Sequence, residues 1–168
     1  TNGGLWRYLI GDTVQFTTLS PYRIRVSGRT KHYINAFGEE LIVENAEQAI
    51  SIASHKSGAI VKEYSAAPRY MDENGAGAHE WLVEFDKEPN DLGYFAEMLD
   101  NALKNVNSDY EAKRYHDKVL RLPVINTVPS GTFYRWMKDK GKLGGQHKVP
   151  RLSNDREYID EIIKFKHA

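Results

Sequence analysis

Apolar and polar positions along this chain follow two periods, and the switch between them marks out its elements. A period of two, or a short apolar run, occurs in residues 5–10 (LWRYLI), 13–18 (TVQFTT), 22–27 (YRIRVS), 32–36 (HYINA), 59–67 (AIVKEYSAA), 79–86 (HEWLVEFD) and 119–127 (VLRLPVINT). These segments are predicted strands. Gly11-Asp12 is a hairpin-type dipeptide predicted to join the first two. Turns are expected at Gly28–Lys31 and at Phe37–Glu40, and a loop at residues 71–78. Pro123 cannot donate to a ladder, so it argues for an edge or a bulge in the last strand.

Helical spacing takes over elsewhere. From Val43 to Ser54, Ala46, Ala49, Ile50 and Ala53 share one face, and Gly58 is placed to end the helix. Residues 91–105 carry a stripe of Leu92, Phe95, Ala96, Leu99 and Leu103, with Asp91 as the expected cap. Shorter helices are expected over 108–117, 131–140 and 154–165. The order of elements predicts an α+β fold, a mixed and largely antiparallel sheet flanked by helices. A β-rich stretch, residues 1–28, precedes a compact domain of residues 29–168, with the boundary near "SGRTK".

Composition narrows the possibilities. The chain has 168 residues, room for one ordinary domain with an appendage. Its 23 basic and 23 acidic residues cancel, so no bulk field points to nucleic acid or an acidic membrane. The absence of cysteine excludes disulfides, thiolate metal sites and a cysteine nucleophile, and fits a reducing, cytoplasmic setting. No apolar run approaches the roughly 20 residues of a membrane span. The six histidines lack ligand spacing, and no phosphate-binding Gly-rich loop ending in Lys-Ser/Thr is present. The chain starts directly before a strand-like run and without Met, which we read as a cut inside a longer protein.

Four places carry candidate chemistry. Asp12 follows an aromatic-rich strand and Gly11; it is either a turn residue or an acceptor for paired hydroxyls such as those of a ribose. "SGRTK" sets Arg29 and Lys31 beside a glycine, either a solvated turn or an anion contact. "NSDYEAKRYHDK", residues 107–118, is dense in charge and reads as a solvated helix face, with Glu111 beside Lys113 and Arg114. "GKLGGQHKVPR", residues 141–151, is either an interhelical linker or a mobile loop that brings Lys148 to a developing negative charge.

Taken together, "RYLIGD" (7–12), "VSGRTKHYINAFGEELIVENAEQAI" (26–50) and "GGQHKVPR" (144–151) resemble, in this order, the last third of an adenylate-forming enzyme. "LSPYRIRVSGRTK", "GAHEW", "DYEAKR" and "GGQHKVPR" more specifically resemble the auxin-responsive Gretchen Hagen family of acyl-acid amido synthetases, its bacterial branch more than its plant one. The resemblance implies that residues 1–28 are a remnant of a large adenylating domain and residues 29–168 a small domain that rotates in catalysis. Tyr8 would lie beside the nucleotide and Asp12 would hold the ribose hydroxyls of ATP. Arg29 would stand near ribose or phosphate, Lys31 would be the hinge, and Lys148 would reach the α-phosphate and carboxylate. ATP would arrive as its Mg complex on the large domain. The other partners implied are a small carboxylic acid, an amine or amino acid acceptor and the chain's own N-terminal domain. A thioester-forming coenzyme A ligase and a non-enzymatic binding module are the alternatives. One departure is plain: the superfamily's Tyr-Arg-Thr-Gly-Asp arginine is Leu9 here, with Arg7 two residues earlier.

Overall fold

The computed structural model describes residues 4, 11–29, 32–70, 75–144 and 147–166. At its centre are three strands in the order β5-β6-β7. β5 (Ile60–Arg69) runs antiparallel to β6 (Ala78–Lys87), and β7 (Val124–Val128) runs parallel to β6. β6 is the middle strand and is buried over most of its length. Its side chains therefore alternate between two covered faces. Trp81, Val83 and Phe85 point to one, together with Tyr64 and Ala66 of β5, and pack against α1 (Val43–Ser57) and α2 (Leu92–Val106). Leu82, with Ala67 and Val128, points to the other and packs against α4 (Thr132–Asp139) and α5 (Glu157–Lys166). The result is the expected α+β fold, a mixed sheet between two helical layers.

Local chemistry sets the helix ends. The Asp91 carboxylate accepts the Tyr94 N–H at 3.1 Å and caps α2. Gly58 takes φ +68° and closes α1 in the left-handed conformation. The expected stripes are buried at Ala46, Ala49, Ile50 and Ala53 and at Phe95, Ala96, Leu99 and Leu103. Asp155 accepts the Glu157 N–H at 3.0 Å where α5 begins.

Three readings are corrected, and a fourth lies partly outside the described residues. The hairpin expected across Gly11-Asp12 would use residues 5–10, which are not among them; the described turn, at Ser20-Pro21, joins the second and third predicted strands, β1 (Asp12–Leu19) and β2 (Tyr22–Arg29). Gly11, at φ +80°, takes the bend, and Asp12 already belongs to the ladder. Gly28 and Arg29 continue β2 rather than turning. The segment 119–127 is strand only from Val124, because Pro123 has no N–H to give; upstream of it a single bridge joins Leu120 to Gly77. Finally, Leu41–Ile42 forms a strand, β4, that periodicity missed; it pairs with β3 (Tyr33–Ile34), and two residues are too few to show a period. Residues 5–10 lie outside the described residues.

The charge-dense segment 107–118 is solvated over most of its length, as expected, but not at Tyr110 and Arg114. It forms α3 (Ser108–Arg114) and one 3₁₀ turn (Tyr115–Asp117). The Arg114 guanidinium is buried and grips Asp100 of α2 at 2.6 and 3.1 Å. It also donates to Asp117 and to the Leu120 carbonyl. Tyr110 and Lys104 donate to the same Asp100 carboxylate at 2.8 and 2.6 Å.

Candidate functional site

The loop that carries Lys148 is pinned at both ends. At its start, the Lys142 N–H donates to the Met137 carbonyl and closes α4. α4 itself is fixed from the sheet. Glu84 of β6 is 2% exposed, and it accepts the N–H groups of Gly131 and Phe133 at 2.7 and 3.3 Å. A buried carboxylate thus sits at the positive end of the helix, where its charge is stabilised. Lys62 completes the pair at 3.2 Å.

At the loop's other end the chain joins the outer edge of β5. The Ala66 N–H donates to the Arg151 carbonyl at 2.9 Å, and the Ser153 N–H to the Ala66 carbonyl at 3.0 Å. Ser65 Oγ donates to the Pro150 carbonyl at 2.7 Å. Arg151 lies over the Tyr64 ring, 5.1 Å from its centroid, and pairs with Glu47 at 2.5 Å and Glu63 at 3.5 Å. Lys148 itself is exposed and forms no ion pair among the described residues. No described residue neutralises this cation, which lies three residues before Arg151 is bonded to β5.

Asp12 and Arg29 are brought together. They are cross-strand neighbours at the open end of the β1–β2 hairpin. Lys148 is on a separate element, after α4. Tyr8 and Lys31 lie outside the described residues. Among the described residues, no three acidic or histidine side chains converge as a metal site.

The hairpin has two unlike faces. On one, Arg25 donates to Gln15 at 3.0 and 2.8 Å and pairs with Glu44 of α1 at 3.1 Å. On the other, Val14 faces Val26 and Phe16 faces Ile24, with Leu19 and Tyr22 nearer the turn. These side chains are 52–76% exposed. A hairpin of two strands is marginal in water, and a contiguous exposed apolar face marks an interaction surface.

Sequence reasoning missed the residues that fasten this frame. Asp100 had a signal: four residues after Ala96 and three before Leu103, it is a carboxylate on the apolar stripe, which requires a buried partner. Glu84 had the same signal inside β6. Glu39, fully buried in an apparent turn and paired with His79 at 2.7 Å, had none.

Comparison with known proteins follows the same outline. A model of the GH3 family C-terminal domain matches residues 44–157. Among solved structures, the fold is similar to "GH3.15 acyl acid amido synthetase", with a TM-score of 0.72 and 18% identity over 96% of this chain. It is also similar to "AtGH3.15 acyl acid amido synthetase in complex with 2,4-DB", with a TM-score of 0.67 and 18% identity over 96% of this chain. The chain spans 31% and 30% of those two structures. Among curated proteins none matches significantly. With the family model covering most of its length, the chain belongs to the GH3 family, as its C-terminal domain.

Proposed function

We propose that this chain is the mobile small domain, with an edge of the large domain, of an ATP-dependent acyl-acid amido synthetase. In the parent reaction a carboxylate oxygen attacks the α-phosphorus of ATP, and pyrophosphate leaves. An amine then attacks the carbonyl of the acyl-adenylate; AMP leaves and the amine loses a proton. Lys148 supplies positive charge to the α-phosphate as it becomes five-coordinate. Asp12 accepts the ribose hydroxyls, Tyr8 lies beside the nucleotide, Arg29 stands near ribose or phosphate, and Lys31 is the pivot. Mg arrives with ATP on the upstream domain.

One observation carries this reading. Lys148 is exposed and has no ion pair among the described residues, yet its loop is held between α4 and β5 by the Met137 and Pro150 contacts. A linker has no need of such fastening, whereas a preorganised donor does. The exposed apolar face of the hairpin supports the large-domain part of the proposal, because that face finds its cover on an upstream domain.

The test is ATP–pyrophosphate exchange by the longer protein with a panel of carboxylic acids. Lys148→Ala is expected to lower exchange by ~100–1000-fold, the effect of removing one preorganised donor. Amide formation from a synthetic acyl-adenylate should be far less affected, and Lys142→Ala should behave as wild type. Asp12→Ala should weaken ATP binding by about 1.5–3 kcal/mol, the range for a charged hydrogen bond. Undiminished exchange by Lys148→Ala would return the loop to a linker.

A further inference from the structure

The segment just after the proposed pivot is fastened to the sheet by a buried polar pair. β3 and β4 share only two residue pairs, Tyr33 with Ile42 and Ile34 with Leu41. So short a ladder is marginal by itself and cannot carry torque between domains. The loop between them, residues 35–40, is held by other means. Glu39 is fully buried, and its Oε1 meets Nε2 of buried His79, on β6, at 2.7 Å. Its Oε2 accepts the Phe37 N–H at 2.8 Å. The Phe37 ring lies where residue 77 has no side chain: a Cβ there would sit 2.2 Å from Phe37 Cζ. The Asn35 N–H donates to Asn154 at 2.7 Å, and Asn107 donates to the Glu40 carbonyl at 3.3 Å. The other His79 nitrogen, Nδ1, is buried without a hydrogen-bond partner among the described residues, so there Glu39 ties that ring. Burial alone would raise the Glu39 proton affinity, but the bond and charge of His79 outweigh it and hold the carboxyl below its ordinary value.

We propose that Glu39 is a positioning residue: with His79 it locks residues 35–40 to β6, so that the rigid body of the small domain includes the chain from Tyr33 onward. This rests on the reading of Lys31 as the pivot. A loose loop would smear the rotation over ten residues and leave the small domain without defined orientations. The lock converts a change at one or two backbone torsions into a rigid swing of the whole sheet and the Lys148 loop.

The chain contains no cysteine, which makes a spin-label test direct. Labels go on Thr17→Cys in the hairpin and Lys164→Cys on α5, both exposed positions on either side of the pivot. The distance distribution between them is expected to be narrow, in one or two populations. Glu39→Leu should broaden it and speed amide exchange at residues 33–40 by about 10- to 100-fold, without speeding exchange in β5 and β6. Glu39→Gln, which keeps an acceptor for Phe37 and a bond to His79, should restore both readouts. Where Glu39→Leu fails to fold, Phe37→Ala, which leaves the buried pair intact, should broaden the distribution in the same direction. An unchanged distribution and unchanged exchange at residues 33–40 would overturn the lock. Neither readout depends on catalysis, so an acid panel that shows no activity overturns the enzymatic reading alone.

Discussion

Two stretches of this chain each carry a lysine and an arginine, and their cations do opposite things. In "DYEAKR", Arg114 is buried against Asp100, Tyr110 and Asp117, and its charge holds α2, α3 and the following turn together. In "GGQHKVPR", Lys148 is exposed with no ion pair among the described residues. The difference is made by partners and not by local composition. Arg114 is matched by a carboxylate that α2 places on its buried face. Lys148 follows a Gly-Gly pair by three residues, and the acids at the loop's β5 end, Glu47 and Glu63, pair with Arg151. A charge paired inside the fold serves stability; a charge kept from pairing, on an anchored loop, is available for function.

The contrast is broken most severely at Arg114. Arg114→Ala leaves Asp100 buried and short of its main partner, and removing one member of a buried pair costs about 3–5 kcal/mol. Urea unfolding should show that loss, whereas Lys148→Ala should stay within about 0.5 kcal/mol of wild type, as surface changes do. If the two variants lose stability equally, the distinction between a structural and a functional cation fails.

A second test moves the helix that delivers the loop. Glu84→Ala orphans the N–H groups of Gly131 and Phe133, while the Lys62 ammonium keeps Asp86 and Ser130. Leaving buried donors unpaired costs about 1–3 kcal/mol. Hydrogen exchange should rise first in α4, and faster exchange in α1 instead would show that Glu84 does not hold this helix.

The same clamp fixes an acid limb of stability. Burial raises the proton affinity of Asp100, but hydrogen bonds from Arg114, Lys104 and Tyr110 outweigh it and hold the carboxyl below its ordinary value. The folded state therefore binds this proton less readily than the unfolded state. The contribution of Asp100 is complete above the ordinary pKa of about 4 and is lost as pH falls below it toward the folded value. Asp100→Asn should be less stable than wild type at pH 7, and its stability should fall less between pH 5 and 2. Parallel pH profiles for the two proteins would remove Asp100 from the acid limb.

How much of this was legible in the sequence depends on periodicity and register. The stripes of α1 and α2, the caps at Asp91 and Gly58 and the two long strands were legible, because each repeats a local rule over several residues. The β1–β2 hairpin had no turn dipeptide of the usual kind to announce it: Ser20-Pro21 is fixed by the pairing of Val14 with Val26 and Phe16 with Ile24. β4 was too short to show a pattern. Glu39 was not legible at all: its burial is decided by Phe37, Gly77 and His79, and the last two lie about forty residues away. Of the candidate site, the exposed Lys148 loop was legible as flexible and cationic. Its anchoring was not, because Ser65 and Pro150 meet only when the chain returns to the edge of β5.

The smallest expected effect is also the one that bears most directly on the comparison. Ser65 Oγ gives a single hydrogen bond to the Pro150 carbonyl, two residues beyond Lys148. Ser65→Ala removes that bond and leaves the two ladder bonds of Ala66 in place. A bond of this kind contributes about 0.5–1.5 kcal/mol net. Global stability should fall by no more than that, since the core and the Arg114 clamp are untouched. The loop should respond more than the fold: amide exchange at residues 147–149 should quicken while β6 keeps its protection. If Lys148 acts from a preorganised position, looser anchoring lowers the fraction of time spent there. ATP–pyrophosphate exchange should then drop several-fold with no change in the affinity for ATP. Faster exchange at residues 147–149 with full adenylation activity would mean that the anchor is a feature of the fold, and that the position of Lys148 is set elsewhere.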